Sequence, residues 1–276
     1  MNSFAPELLS HILNYLPRHS LLQCTLVSRS FYQLSIPLLL HTITLDEWCL
    51  GVPSFYQLLL SSPTSRSLVR KLVVQADGLY DGCLEIVRLL DVRDLVVFMP
   101  GDGGRRDLSF PTRKGLRRLT FRNTLGPGKT RYARFFKIFP HLEDANETLR
   151  ELNIVCATLD LEYLDDGSEE ANFNHNLQIL RLEGSLSDLE TCEKVFGSSR
   201  SSLRILSVDD CLYRGDVSAL WAFIRWFDEI LEELKVHLTF PSGYFERRLH
   251  VDAFRSLRQY TIKENAADRW TTISRL

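Results

Sequence analysis

The chain lacks any cysteine pair close enough for a metal knuckle. Its six cysteines, Cys24, Cys49, Cys83, Cys156, Cys192 and Cys211, are scattered over 276 residues, with no CxxC and none beside a histidine. Structural zinc sites need clustered ligand pairs, so a zinc module is excluded and no metal is expected. Scattered cysteines in a chain of this size read as reduced thiols, which suits a cytoplasmic and/or nuclear protein. Long apolar runs are also missing. The longest is about five residues, as at 36–40, against the ~20 that a membrane helix needs. No basic segment leads into a continuous apolar core near the N-terminus, so no signal peptide is expected. Charge imbalance is absent too: 33 Lys+Arg against 35 Asp+Glu leave a net charge of −2. That balance asks for neither nucleic acid nor an anionic membrane, and neither is expected as a partner.

Signatures of catalysis are equally scarce. There is no G-x-S-x-G elbow and no H-E-x-x-H, and the seven histidines are dispersed. The stretch NTLGPGKT (123–130) ends like a phosphate loop, but Asn123 stands where the first glycine is required and Pro127 removes a backbone N–H. A turn is the plainer reading. The acidic pairs Asp165-Asp166 and Glu169-Glu170 do not alternate as a calcium loop demands. No cofactor and no catalytic residue are expected, and the chain is read as a non-enzyme.

What is present begins at residues 5–34, APELLSHILNYLPRHSLLQCTLVSRSFYQL. Leu8, Leu9, Ile12, Leu13 and Leu16 mark one helical face, with Pro6 at the first helical position and Glu7 suited to the helix N-terminus. Pro17 ends this helix. A second helix is expected over about 20–27 with Ser20 as cap, and a third from Ser28 to before Pro37. Three short helices bury little core among themselves, so another surface must cover much of the leucine face.

These residues resemble an F-box. The matching positions are Pro6, Glu7, Leu8, Leu9, Ile12, Leu13, Leu16, Pro17, Leu21, Leu22, Val27, Arg29 and Phe31, followed by the Pro-Leu-Leu segment in IPLLLHTITL. Phe4 and Ala5 depart from the usual opening Leu-Pro. The other reading of this stretch is a helical cap on the chain behind it.

The remainder repeats one phrase, L-x-x-L-x-apolar. It occurs nine times, beginning at residues 40, 69, 92, 116, 149, 177, 203, 231 and 257, at spacings of 29, 23, 24, 33, 28, 26, 28 and 26. The phrase resembles the leucine-rich repeat. LRILSVDDC and LRQYTIKEN complete the repeat ending at Cys211 and Asn265, whereas Thr124, Ala157, Ser185 and Thr239 stand there in other copies. Helical patterns lie between phrases. Leu189, Cys192, Val195 and Phe196 share a face with Gly197 as expected C-cap, and Leu220, Phe223, Ile224 and Phe227 share another. The fold class expected is α/β: a three-helix F-box over residues 1–38, then a curved leucine-rich-repeat solenoid over residues 39–276 with a parallel sheet on its concave face.

Strand alternation sends the phrase's apolar positions inward and the residues between them to the concave face. A target-binding face is therefore expected to use Lys71, Gln75, Arg118, Arg122, Glu151, Asn153, Arg181, Glu183, Asp209, Lys235 and His237. Residues 105–137 carry eleven Lys/Arg and one acid, net +10, while residues 141–193 carry fourteen acids and two arginines, net −12. The two stretches either neutralise one another or form a bipolar binding surface.

The resemblance implies a substrate-recognition subunit of a Skp–cullin–F-box ubiquitin ligase. Pro6, Glu7, Leu8, Leu9, Ile12, Leu13, Leu16, Leu21, Leu22, Val27 and Arg29 would meet the Skp-family adaptor, and cullin would be reached through it. The repeats would hold a target protein. The alternative is a non-ligase F-box protein or a repeat scaffold that mediates protein–protein interaction only.

Overall fold

A computed structural model of the chain describes residues 5–45, 52–75, 81–99, 115–123, 147–155, 176–183, 196–209, 222–239, 254–266 and 269–275. Three helices come first: α1 (Pro6–Leu13), α2 (Arg18–Cys24) and α3 (Arg29–His41). Pro6 occupies the first turn of α1, where its missing N–H has no partner to lose. The Ala5 carbonyl accepts from the Leu8 and Leu9 N–H groups and starts the helix. Ser28 caps α3, its hydroxyl accepting from the Phe31 N–H. Leu13, Leu21 and Leu39 are the buried heart of this bundle, lined by Leu16, Cys24, Phe31, Leu34, Ile36 and Leu38.

Two expectations change here. The second helix starts at Arg18, with Pro17 rather than Ser20 at its N-cap position. The Arg18 guanidinium reaches the carbonyls of Leu39 and Thr42, tying this helix to the end of α3 at 3.0 and 3.1 Å. The third helix runs through Pro37 to His41. A mid-helix proline costs ~3 kcal/mol, but stopping there would strand Leu39, which fills the bundle core. The residue-38 boundary read from the sequence therefore falls inside α3.

After α3 the chain enters a ten-stranded sheet in strict sequence order. The strands are β1 (Thr42–Leu45), β2 (Lys71–Gln75), β3 (Asp94–Met99), β4 (Arg118–Asn123), β5 (Glu151–Val155), β6 (Ile179–Glu183), β7 (Ile205–Asp209), β8 (Glu233–Thr239), β9 (Gln259–Ala266) and β10 (Arg269–Arg275). The first nine are parallel neighbours, one from each copy of the repeated phrase. Sequence reading had no strand for β10, which turns back antiparallel on β9 with Ala266 opposite Arg269.

Parallel neighbours need a crossover, and helices supply it where the crossovers are described. These are α4 (Val52–Ser61) and α5 (Pro63–Leu68) before β2, and α6 (Asp81–Leu89) before β3. The core is a set of stacked apolar columns. The phrase's second leucine runs Ile43, Leu72, Leu95, Leu119, Leu152, Leu180, Leu206, Leu234 in register, each at most 6% exposed. Leu59 of α4 and Ile86 and Val87 of α6 pack onto these columns, as do Phe196, Phe223, Ile224 and Phe227. Phe223 and Phe227 meet edge to face at 5.4 Å. Phe196 is helical, and Gly197 follows it and opens a 3-10 turn (Gly197–Ser201). Leu189, Cys192, Val195 and Leu220 lie outside the described residues.

Candidate partner-binding surfaces

Two surfaces stand apart from this core. One is the outer side of the helical bundle. With so few layers, each helix can turn only one stripe inward. Leu13 and Leu21 take the inward positions, at 1% and 7% exposure. They hold the bundle together and are covered by its own side chains. Leu9 and Leu16 are half-buried, while Pro6, Glu7 and Arg29 are exposed. The outward stripe is apolar: Leu8, Ile12, Leu22 and Val27 are 48, 46, 52 and 68% exposed. Tyr15, Leu26 and Tyr32 are also exposed, at 77, 86 and 50%, and sequence reading missed them. Helical spacing from Ile12 to Tyr15 and from Leu22 to Leu26 was the available signal. The His11 ring meets Tyr15 edge-on at 5.2 Å. A concentration of large apolar side chains at a surface marks an interaction site.

The other surface is the open side of the sheet. All eleven residues expected there lie on it, none of them buried, because parallel register stacks every second residue into rows. The first row reads Thr42, Lys71, Asp94, Arg118, Glu151, Ile179, Ile205, Glu233, Gln259. The second reads Thr44, Val73, Val96, Thr120, Asn153, Arg181, Ser207, Lys235, Thr261. The third reads Gln75, Phe98, Arg122, Val155, Glu183, Asp209, His237.

A polar network crosses the middle strands. Arg118 grips Asp94 with two N–H groups, Nε donating to Oδ1 at 2.7 Å and Nη2 to Oδ2. The Asp94 hydrogen bond raises the Arg118 guanidinium above its ordinary value; burial opposes this, and the charges of Asp94 and Glu151 add to it. Arg181 pairs with Glu151 and also donates to the Asn153 side-chain oxygen at 3.3 Å. Asn153 donates to Thr120 Oγ1 at 3.0 Å and to Glu151 Oε1 at 3.2 Å. Further along, Lys235 pairs with Glu233, and His237 Nδ1 lies 2.6 Å from Asp209 Oδ1. Neighbouring strands thus pair many of their charges on this face. Most of the basic stretch 105–137 and the acidic stretch 141–193 lies outside the described residues, and the bipolar reading with it.

Among the described residues no group of three or more His, Cys, Asp or Glu stands together as metal ligands. No described helix is long and apolar enough to cross a membrane. Cys24 is a free, half-buried thiol that packs on the bundle core. Residues 124–130, the acidic pairs at 165–170 and Cys211 lie outside the described residues.

A family model described as F-box-like matches residues 6–46. The match spans α1 to α3 and β1, and so includes the exposed apolar stripe. No curated protein matches the chain. F-box domains bind Skp-type adaptors, and proteins that carry them are typically adaptors rather than enzymes. The segment points to a role in a Skp-linked ubiquitin ligase or in protein–protein interaction.

Proposed function

We propose that the chain is a substrate-recognition subunit of a Skp–cullin–F-box ubiquitin ligase. The observation that carries this is the uncovered apolar stripe within an F-box-like segment: Leu8, Ile12, Leu22, Leu26 and Val27 face outward while Leu13, Leu21 and Leu39 close the bundle. In this reading the adaptor covers the stripe, and cullin is reached through it. The sheet region from about residue 39 is a leucine-rich-repeat solenoid whose open face holds a target protein. Lys71, Gln75, Arg118, Arg122, Glu151, Asn153, Arg181, Glu183, Asp209, Lys235 and His237 line that face. Support comes from the nine in-register strands, one per repeated phrase, with side chains from every strand in shared rows.

The mechanism is proximity. Holding a target beside a ubiquitin-charged enzyme raises their effective concentration, and the chain supplies binding energy and orientation without a catalytic group. Its place of work is the cytoplasm or nucleus. The test is co-expression with a Skp-family adaptor followed by size-exclusion chromatography, beside Leu8→Asp/Ile12→Asp. The reading expects one-to-one co-elution for wild type and none for the variant, with an unchanged circular dichroism spectrum. A wild-type chain that ignores the adaptor would end the ligase reading in favour of a repeat scaffold.

A further inference from the structure

The residue just before each strand forms a column of its own. From β2 onward it reads Arg70, Arg93, Arg117, Arg150, Gln178, Arg204, Glu232, Arg258. The backbone locks this column. The carbonyl of Arg70 accepts the N–H groups of Arg93 and Asp94 at 2.9 and 3.0 Å. The carbonyl of Arg93 accepts those of Arg117 and Arg118 at 2.8 and 3.0 Å, and that of Arg117 accepts those of Arg150 and Glu151 at 2.8 and 3.0 Å. Two bonds per rung hold each arginine over the next at the ~4.8 Å strand spacing.

The two halves of the column differ. In the later half, Glu232 stands between Arg204 and Arg258, 3.9 and 3.8 Å from them. In the earlier half, four arginines follow one another with no acid in the column. Among the described residues no carboxylate lies within ion-pair distance of Arg70, Arg93 or Arg117, and Arg150 donates to the Asn176 carbonyl at 3.1 Å. Arg93 and Arg117 are exposed. Arg18 adds a further positive charge where the column begins, held on the carbonyls of Leu39 and Thr42. Like charges on successive rungs repel one another unless an anion bridges them, and a guanidinium offers the fork that grips a carboxylate or phosphate with two bonds.

We propose that the Arg70–Arg93–Arg117–Arg150 column is a docking strip for a short, extended, anionic peptide laid across the strand entries. Its length fits. Four rungs span about 14 Å, and five residues of extended chain cover about the same distance, with side chains at alternate positions facing the strip. Three acidic residues at i, i+2 and i+4 therefore match it. A long polyanion fits less well, because beyond Arg150 the column interleaves neutral Gln178 and acidic Glu232 with Arg204 and Arg258. The strip borders the open face and deepens the target-binding reading by naming the chemistry of the target. Its test needs no adaptor, so the two readings fail separately.

The experiment is fluorescence anisotropy on the full chain with labelled Gly-Glu-Gly-Glu-Gly-Glu-Gly, its phosphoserine counterpart and its glutamine counterpart. Binding of either anionic peptide but not the glutamine one is expected, and the tighter of the two identifies the anion as carboxylate or phosphate. Arg93→Ala/Arg117→Ala should weaken binding about tenfold or more. Arg88→Ala, which removes a charge paired with Glu85 on α6, should leave it unchanged. Arg93→Gln/Arg117→Gln keeps the stems and gives the same reading should the alanine variant fold poorly. Equal affinity in these double variants, an equal loss with Arg88→Ala, or tighter binding of hexauridylate through the same arginines would each overturn the proposal.

Discussion

Truncating the three half-exposed residues Leu8, Ile12 and Leu22 to alanine separates what the bundle holds for itself from what it offers a partner. They are 48, 46 and 52% exposed, so about half of each side chain is already covered by the fold. Full burial of such a side chain stabilises by about 2 kcal/mol. Roughly 1 kcal/mol per residue is then left for a covering protein, or about 3 kcal/mol for the three. At 1.4 kcal/mol per decade, the triple variant should lose about 100- to 200-fold in adaptor affinity. Leu13→Ala is the counterpart. Leu13 is 1% exposed in a small apolar core that it shares with buried Leu21 and Leu39. That change should cost 2–5 kcal/mol of bundle stability, on the order of a large-to-small core substitution, and weaken binding only by unfolding the bundle. Titration calorimetry against a purified Skp-family adaptor reads the first effect, and urea unfolding reads the second. A triple variant that keeps its affinity within about twofold would show that the stripe is not the adaptor surface.

Gly115 has φ +123°, and a Cβ there would sit 2.8 Å from Asp91 Oδ1. Gly115→Ala should therefore cost about 1–3 kcal/mol in chemical denaturation, and Asp91→Ala should recover only the steric share. Ser35 is fully buried in α3, and among the described residues its hydroxyl has no hydrogen-bond partner. Ser35→Ala should raise bundle stability by up to about 1 kcal/mol; a loss of that size would mean the hydroxyl is satisfied in solution. The raised Arg118 carries a sign that can be checked. A group whose folded value is raised contributes stability that is complete below its unfolded value and lost only as pH climbs through the folded one. For an arginine that window is strongly alkaline, and its side chain is 58% exposed, so the contribution is small. Arg118→Gln should shift thermal stability little, and equally at pH values of about 6 and 9; a shift that differs between them would mean that another titrating group is coupled to the pair.

The sequence by itself determined the repeating frame. The phrase states a period-two burial that any strand obeys, so its nine copies could be read as nine strands and its intervening residues as one shared face. It also determined the helical register of residues 6–13, because apolar spacing and Pro6 act locally. Tertiary structure decided what depends on neighbours far along the chain. Leu13 and Leu8 have the same chemistry, and only packing against Leu21 and Leu39 sends one inward and leaves the other out. Pro37 stays helical because the burial of Leu39 outweighs a local penalty. The partner of Arg118 is Asp94, 24 residues away, because parallel register aligns their strands. The arginine column likewise exists only once strands bring together residues 23 to 33 positions apart in the sequence. Spacing along one chain carries no information about which rungs will be adjacent until each carbonyl has taken up the N–H groups of the next.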